Sequence, residues 1–175
     1  MTVSITQYSI CVVQSLYYFL NRTSYTRHGA TKTLKSRYSD LDIILGFPHT
    51  LNEINLPTLA LIQDPSLEEP DTFGSHRMER IMPFHIDGFA GGSQVEAINQ
   101  LLRDQIRDDL RYFLTDTDYV DLYDATSNGK IDTSSTISDI EIVNVRDENL
   151  PVTGPLAVDR YRFRVSFDVS LTRDA

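Results

Sequence analysis

Apolar residues recur every three or four positions in two stretches of the chain, which is the spacing at which side chains share one face of a helix. The first stretch covers about residues 4–20 and the second covers residues 93–114. Their apolar stripes consist of Ile5, Tyr8, Val12, Leu16 and Phe19 in the first and of Val95, Ile98, Leu102, Ile106, Leu110 and Phe113 in the second. The pattern predicts two amphipathic helices that each bury one side.

Four other segments have the apolar or alternating patterns of β-strands, and they cover residues 56–63, 76–89, 137–145 and 160–171. The last one, RYRFRVSFDVSL, alternates along its whole length. The order along the chain is α-β-β-α-β-β. We therefore expect a two-layer α+β fold, in which a four-stranded, mostly antiparallel sheet carries both helices on one face. The opposite face is then solvated or covered by another subunit.

Long polar segments separate these elements. A length of 175 residues suits one folded unit, so we expect a single domain across residues 1–175. We also expect an extended basic arm or loop at about residues 21–46 and exposed loops at about 64–76 and 115–136. Loops of this length in compact domains are usually functional or disordered.

The charge is distributed unevenly along the chain. The net charge is −9, yet residues 21–39 contain no acid and five basic residues, which are Arg22, Arg27, Lys32, Lys35 and Arg37. An acidic body repels nucleic acid, which argues against tight DNA binding. The arm is instead a candidate surface for docking onto an acidic neighbour.

Cysteine content and the first residues of the chain exclude several classes of protein. The single cysteine, Cys11, cannot form an intramolecular disulfide or a zinc site built from several cysteines, which suits a reducing compartment. The apolar run near residue 10 is too short and too interrupted for a signal peptide or a membrane span. The aspartates of residues 116–124 do not follow the spacing of a calcium loop. We expect no cofactor, no metal and no membrane contact.

The segment PFHIDGFAGGSQVE, residues 83–96, leads from a strand through a Gly-Gly break into a helix. Such an arrangement can cradle a phosphate at the helix N-terminus. Here, however, Ser93 and Glu96 have the spacing of a capping box, which supplies a carboxylate where a phosphate would sit. The glycines also match no nucleotide-binding motif. We interpret the segment as a structural turn.

Candidate chemistry is sparse. The four histidines lie far apart in sequence, and His85 shares a strand face with Asp87, which makes an acid/base pair conceivable beside the simpler interpretation of a structural histidine. The sequence contains no nucleophile motif, and we expect no enzymatic activity. Arg160, Arg162 and Arg164 form a row on one strand face. This row either pairs with acids of a neighbouring strand, such as Glu141 or Asp139, or docks onto an acidic partner.

Three segments resemble the tail terminator or tail-completion proteins of tailed bacteriophages. They are LPTLALIQD, RIMPFHIDGFAGGSQVEAINQLLRDQIRDDLRYFL and DRYRFRVSFDVSLTRDA. In that family a strand of the form F-x-I-D-x-F/Y-A leads into a helix rich in Asp and Arg, followed by an acidic LYD region, here residues 122–124. The resemblance extends over about residues 55–175 and is one of pattern and element order.

The resemblance implies a non-enzymatic virion protein, made in the cytoplasm of the host bacterium. It implies a homo-oligomeric ring, typically a hexamer, that ends the tail tube and joins it to the head-completion or connector proteins of the neck. Genomic DNA then only passes through the ring, and an acidic lumen that does not retain DNA fits this role. The alternative is a small ligand-binding or enzymatic α+β domain with its site on the open sheet face near His85 and Asp87.

Overall fold

The structure is a computed structural model, and it describes residues 5–21, 26–27, 30–31, 33–46, 55–64, 77–91, 93, 95–115, 120–121, 123–124, 129–130, 135–149 and 161–174. The elements in these residues are, in chain order, α1 (Ile5–Asn21), β1 (Thr26–Arg27), β2 (Ala30–Thr31), α2 (Leu34–Arg37), β3 (Asp42–Leu45), β4 (Thr58–Gln63), β5 (Arg77–Ala90), α3 (Glu96–Thr115), β6 (Val120–Asp121), β7 (Tyr123–Asp124), β8 (Gly129–Lys130), β9 (Ser135–Asn149) and β10 (Tyr161–Asp174).

One mixed sheet dominates the fold, with the strand order β3-β4-β5-β10-β9-β6. Among the described strands of this sheet, β3 and β4 run parallel, and the other neighbours run antiparallel. Five of these strands have four or more residues, and the sixth, β6, adds only two residues at one edge. The remaining short strands pair as β1 with β2 and β7 with β8. The α+β class is confirmed, whereas the prediction of four strands is wrong in number.

The additional strand, β3, lies in the region predicted as an extended arm. Its sequence DIIL is too short to show an alternating pattern, and its partner among the described strands is β4. Before it, Thr33 caps α2 by accepting a hydrogen bond from the Ser36 backbone N–H at 3.0 Å. Residues 33–46 are therefore folded onto the domain. The predicted loops at 64–76 and 115–136 lie largely outside the described residues.

The long antiparallel pair of β5 and β10 forms the centre of the sheet. Its register is continuous from Tyr161 opposite Ala90 to Asp174 opposite Arg77. Phe84 and Phe167 lie opposite one another, and their rings stack with centroids 5.9 Å apart. On the other side of β10, the pairing with β9 contains two register shifts. At the first of these, Val143 is skipped and its side chain is 62% exposed.

Both predicted long helices are present as α1 and α3, and their apolar residues join one core with the inward residues of the sheet. Phe19 of α1 stacks on Phe113 of α3 with ring centroids 4.5 Å apart, so the two helices contact each other as well as the sheet. Gly88 of β5 allows the Phe163 ring to lie directly on the backbone. A Cβ at this position would be 2.1 Å from Phe163 Cζ.

In the first turns of α3, the buried side of the helix is not the side that was predicted. The helix begins at Glu96, and it buries Asn99 and Arg103, whereas Val95 and Ile98 are each 53% exposed. The Asn99 side chain accepts a hydrogen bond from the Ser93 N–H at 3.1 Å and donates one to the Ser93 carbonyl at 2.8 Å. The predicted capping box is wrong, because the helix begins at Glu96 itself and the Ser93 N–H donates to Asn99, while Glu96 accepts a hydrogen bond from the Tyr161 hydroxyl at 2.6 Å.

Candidate functional site

The polar residues singled out in the sequence meet on the outer face of the sheet, which is the face opposite α1 and α3. In the register of β5 and β10, Arg164 lies opposite Asp87 and Ser166 lies opposite His85. Residues directly opposite each other in an antiparallel pair point to the same face. The alternation of β10 also places Arg162 on this face. Asp87 is therefore flanked by two arginines of the neighbouring strand.

Asp87 is the centre of a buried charge network. Its side chain is fully buried, at 0% exposure. Arg164 donates to it through two nitrogens, Nε to Oδ1 at 2.6 Å and Nη2 to Oδ2 at 2.9 Å. Arg162 donates Nη2 to Oδ2 at 2.6 Å, and its Nη1 lies 3.4 Å from Glu148 of β9. The guanidinium of Arg162 also lies 5.7 Å from the centroid of the Phe89 ring.

Two opposing effects set the ionisation of Asp87. Burial acts to raise the pKa of this carboxyl, because a low-dielectric surrounding disfavours its charged form. The hydrogen bond from Arg164 and the charges of both arginines act in the opposite direction, and the pKa of Asp87 lies below its usual value. In turn, the hydrogen bond to Asp87 raises the pKa of Arg164. The network is therefore held in its charged form.

His85 joins this network to the end of β4. Its side chain is 10% exposed, and its Nδ1 lies 2.7 Å from Oδ1 of Asp64. Its Nε2 lies 3.9 Å from Oδ2 of Asp87. The Asp64 backbone N–H donates to the Pro83 carbonyl at 3.0 Å, which positions this residue directly after the strand. The prediction that His85 and Asp87 share a face is confirmed, but the closer partner of His85 is Asp64.

Asp64 was not predicted from the sequence to belong to this cluster. The register of β4 and β5 places Ile62 opposite His85, so the residue two positions after Ile62 points to the same face. That residue is Asp64, and a correct hairpin register would have found it. The partners suggested for the arginine row were also wrong, because the register of β9 and β10 was not known from the sequence. Glu141 and Asp139 lie opposite Asp168 and Ser170, whereas the arginines contact Asp87 and Glu148.

The other predicted interface residues fall into two groups. Lys35 and Arg37 lie on or beside α2 and contact their own chain, Lys35 through the Leu41 carbonyl and Arg37 through Asp109 of α3. The Tyr38 hydroxyl donates to the same Asp109 at 2.6 Å. The side chains of Arg22, Arg27, Lys32 and Arg160 lie outside the described residues.

Chemically, this arrangement neutralises charge and joins strands. Asp87 accepts three hydrogen bonds from two guanidinium groups, so it is engaged as an ionic crosslink between β5 and β10. Glu148 extends the crosslink to β9, and Asp64 with His85 extends it to the end of β4. Among the described side chains, no group of three or more His, Cys, Asp or Glu residues is arranged to hold a metal ion.

None of the described helices is long and apolar enough to cross a membrane. The chain matches no protein-family model. No curated protein is significantly similar to it in sequence.

Proposed function

We propose that this chain is a structural virion protein of a tailed phage. Six copies form a ring that ends the tail tube and joins it to the head-completion proteins around the DNA channel. The proposal rests on the resemblance of three sequence segments to tail terminator and tail-completion proteins. One observation carries it, which is that these segments supply β4, β5 with α3, and β10, and that these strands are adjacent in the sheet. A resemblance concentrated in one packed unit is less easily produced by chance than one scattered over the chain.

The charge network supports a structural role. A catalytic carboxylate needs access to a substrate and a pKa suited to proton transfer. Asp87 is instead fully buried, is engaged by two arginines, and has a pKa below its usual value. Such a network stabilises the register of long strands, which a ring subunit needs in order to keep its shape under load.

The overall charge is also compatible with this function. A net charge of −9 gives a channel lined by this chain little affinity for DNA, so DNA can move through it. The contacts of Lys35 and Arg37 within the chain leave Arg22, Arg27 and Lys32 as the arm residues proposed to dock onto an acidic neighbour.

Mass photometry of the purified chain, alone and mixed with sheared phage tails, tests this proposal. We expect a species of six copies on the tails, visible as a ring by negative staining, and tails without the protein serve as the control. A chain that stays monomeric and does not bind tails would contradict the proposal.

A second candidate function is ligand binding or catalysis on the outer face. The observation that favours it is the 2.7 Å contact between Asp64 Oδ1 and His85 Nδ1, since a carboxylate bound to one ring nitrogen holds the imidazole in a fixed orientation. A thermal-shift screen comparing the wild type with His85→Ala tests it. A ligand that stabilises only the wild type would support this function, provided that both proteins fold and assemble alike.

A further inference from the structure

The side of α3 that points away from the sheet has an unusual composition. Five of its exposed residues form one stripe along the helix, which we call the helix seam: Ile98, Leu101, Gln105, Asp108 and Tyr112. Ile98, Leu101 and Tyr112 are 53%, 57% and 52% exposed. The Asp108 side chain is 61% exposed, and Gln105 is also exposed. A helix packed on a sheet normally presents polar residues to solvent, so exposed apolar residues here need a reason.

The same turns of α3 show that this exposure is selective. Asn99 and Arg103 occupy the buried side, while Ile98 and Leu101 lie outside. Large apolar side chains that cluster on a surface mark sites of contact with other molecules. The spacing of the seam residues alternates between three and four, which is the spacing of residues that face a second helix. The seam therefore indicates a helix as its partner.

We propose that the helix seam joins two copies of this chain, with their α3 helices packed antiparallel about a twofold axis. In one register every seam residue meets a suitable side chain of the second copy. Leu101 lies opposite Tyr112 of the second copy, which gives an apolar contact. Gln105 lies opposite Asp108, which gives a hydrogen bond, and Ile98 lies opposite Thr115 at the end of the helix. A twofold contact repeats each of these pairs.

Charge complementarity supports this register. The position beside the seam on one flank is occupied by Asp104 in one turn and by Arg111 two turns later. In the antiparallel arrangement these positions meet across the interface, so each Asp104 lies near Arg111 of the second copy. Asp104 already contacts Arg103 at 2.8 Å and Arg107 at 3.2 Å, and its side chain remains 37% exposed. Two intermolecular ion pairs between Asp104 and Arg111 thus lie beside the contacts of the helix seam.

This contact goes beyond the proposed function. A ring requires a head-to-tail contact between two different surfaces, whereas a twofold contact uses the same surface on both copies. The two inferences therefore have separate tests. A five-turn helix pair is a small interface, so we expect a reversible dimer that forms at high protein concentration.

Sedimentation velocity of the full chain over a concentration series tests the proposal. We expect the wild type to move from monomer to dimer as its concentration rises, and Leu101→Asp to weaken the dimer at least tenfold. Gln100→Asp is the matched control, because it adds the same charge at an exposed position of the same helix that lies outside the seam. Circular dichroism confirms that the variants fold. A wild type that stays monomeric, or a Leu101→Asp variant that dimerises like the wild type, would overturn the proposal.

Charge reversal tests the register. Arg111→Asp alone places two aspartates near each other and should weaken the dimer, while Asp104→Arg with Arg111→Asp restores opposite charges and should recover most of the affinity. Absence of recovery in a folded double variant would refute this register. If rings form on tails while the free chain remains monomeric, the twofold contact is wrong and the proposed function stands. Dimers of the free chain without any ring on tails would support the twofold contact and contradict the proposed function.

Discussion

The fully buried Asp87 is the side chain of the outer face whose loss we expect to lower the stability of the fold most. Removing its charge leaves Arg162 and Arg164 without their carboxylate. Breaking a buried ion pair on one side costs about 3–5 kcal/mol. We therefore expect Asp87→Asn to lower the free energy of unfolding by an amount in this range, as measured by urea denaturation.

Asp168→Asn is the matched control for this variant. Asp168 of β10 lies on the same face of the sheet, opposite Glu141 of β9, so removing its charge relieves a like-charge pair. We expect the control to change stability little. Equal effects of the two substitutions would contradict the role assigned to Asp87.

The low pKa of Asp87 also predicts how stability depends on pH. Its pKa in the folded state lies below its value in the unfolded chain, which is about 3.9. The stabilisation is therefore complete above about pH 4 and is lost as the pH falls through the lower, folded-state value. The urea midpoint of the wild type should drop in this acid range, and Asp87→Asn should lose this part of the drop. Parallel curves for the two proteins would show that other carboxyls cause the acid sensitivity.

Gly88 is a second position at which the structure predicts the effect of a substitution on stability. Because a Cβ there would overlap the Phe163 ring, Gly88→Ala should destabilise the protein by about 1–3 kcal/mol, the range for overpacking a core. Phe163→Leu in the same chain removes the overlapping ring atoms. In a double-mutant cycle we expect the two substitutions to cost less together than the sum of their separate effects. Strict additivity would show that the ring does not cause the clash.

At the level of elements, the start of α3 depends on a side chain placed inside the helix. Asn99 makes two hydrogen bonds to the Ser93 backbone and is buried. Asn99→Ala should therefore cost about 1–3 kcal/mol, because the partly buried N–H and carbonyl of Ser93 lose their partner. Gln100→Ala is the control, because it removes an amide side chain at an exposed position of the same turn. Similar unfolding free energies for both variants would contradict this account of the cap.

The elements that the sequence predicts well are those with long periodic patterns. The alternation of β10 continues through twelve residues, RYRFRVSFDVSL, and identifies both the strand and its buried face. The four residues of β3 offer no comparable pattern, and their strand conformation depends on pairing with β4. The stripe predicted for α3 is correct in its second half, where Ile106, Leu110 and Phe113 are buried. In its first half Leu102 packs against the core, but Val95 and Ile98 are exposed, because the Asn99 cap and the contact of Glu96 with Tyr161 override the hydrophobic pattern there.

The sequence predicted on which face of its strand each residue of the candidate site lies. It did not predict which residues lie opposite each other on neighbouring strands. Alternation assigned His85 and Asp87 to the polar side of one strand and Arg162 and Arg164 to the polar side of another, both on the open face of the sheet. It could not fix which residues lie opposite each other, because register depends on turns and bulges that leave no periodic signal. The correct partners, Asp64 and Glu148, therefore emerged only from the pairing of the strands.

For the whole molecule, the order of the strands predicts an order of local stability. The β5–β10 pair is central and is covered by core residues, whereas β3 pairs with β4 alone among the described strands. Local opening is easiest where few contacts hold an element. We expect the backbone amides of β3 to exchange with solvent faster than those at the centre of β10, as measured by hydrogen-exchange mass spectrometry. Equal protection of both strands would contradict this order.

The register shift at Val143 of β9 affects whether the edge of the sheet can pair with further chains. Within the described residues, β6 covers β9 only at Ile137 and Thr136, and the strand continues well beyond that point. A straight, even border of this length is a template on which further chains can stack without limit into fibrils. The offset at Val143 breaks the repeat that such stacking needs. We therefore expect a substitution that removes this offset and straightens β9 to make the protein form insoluble fibres at high concentration.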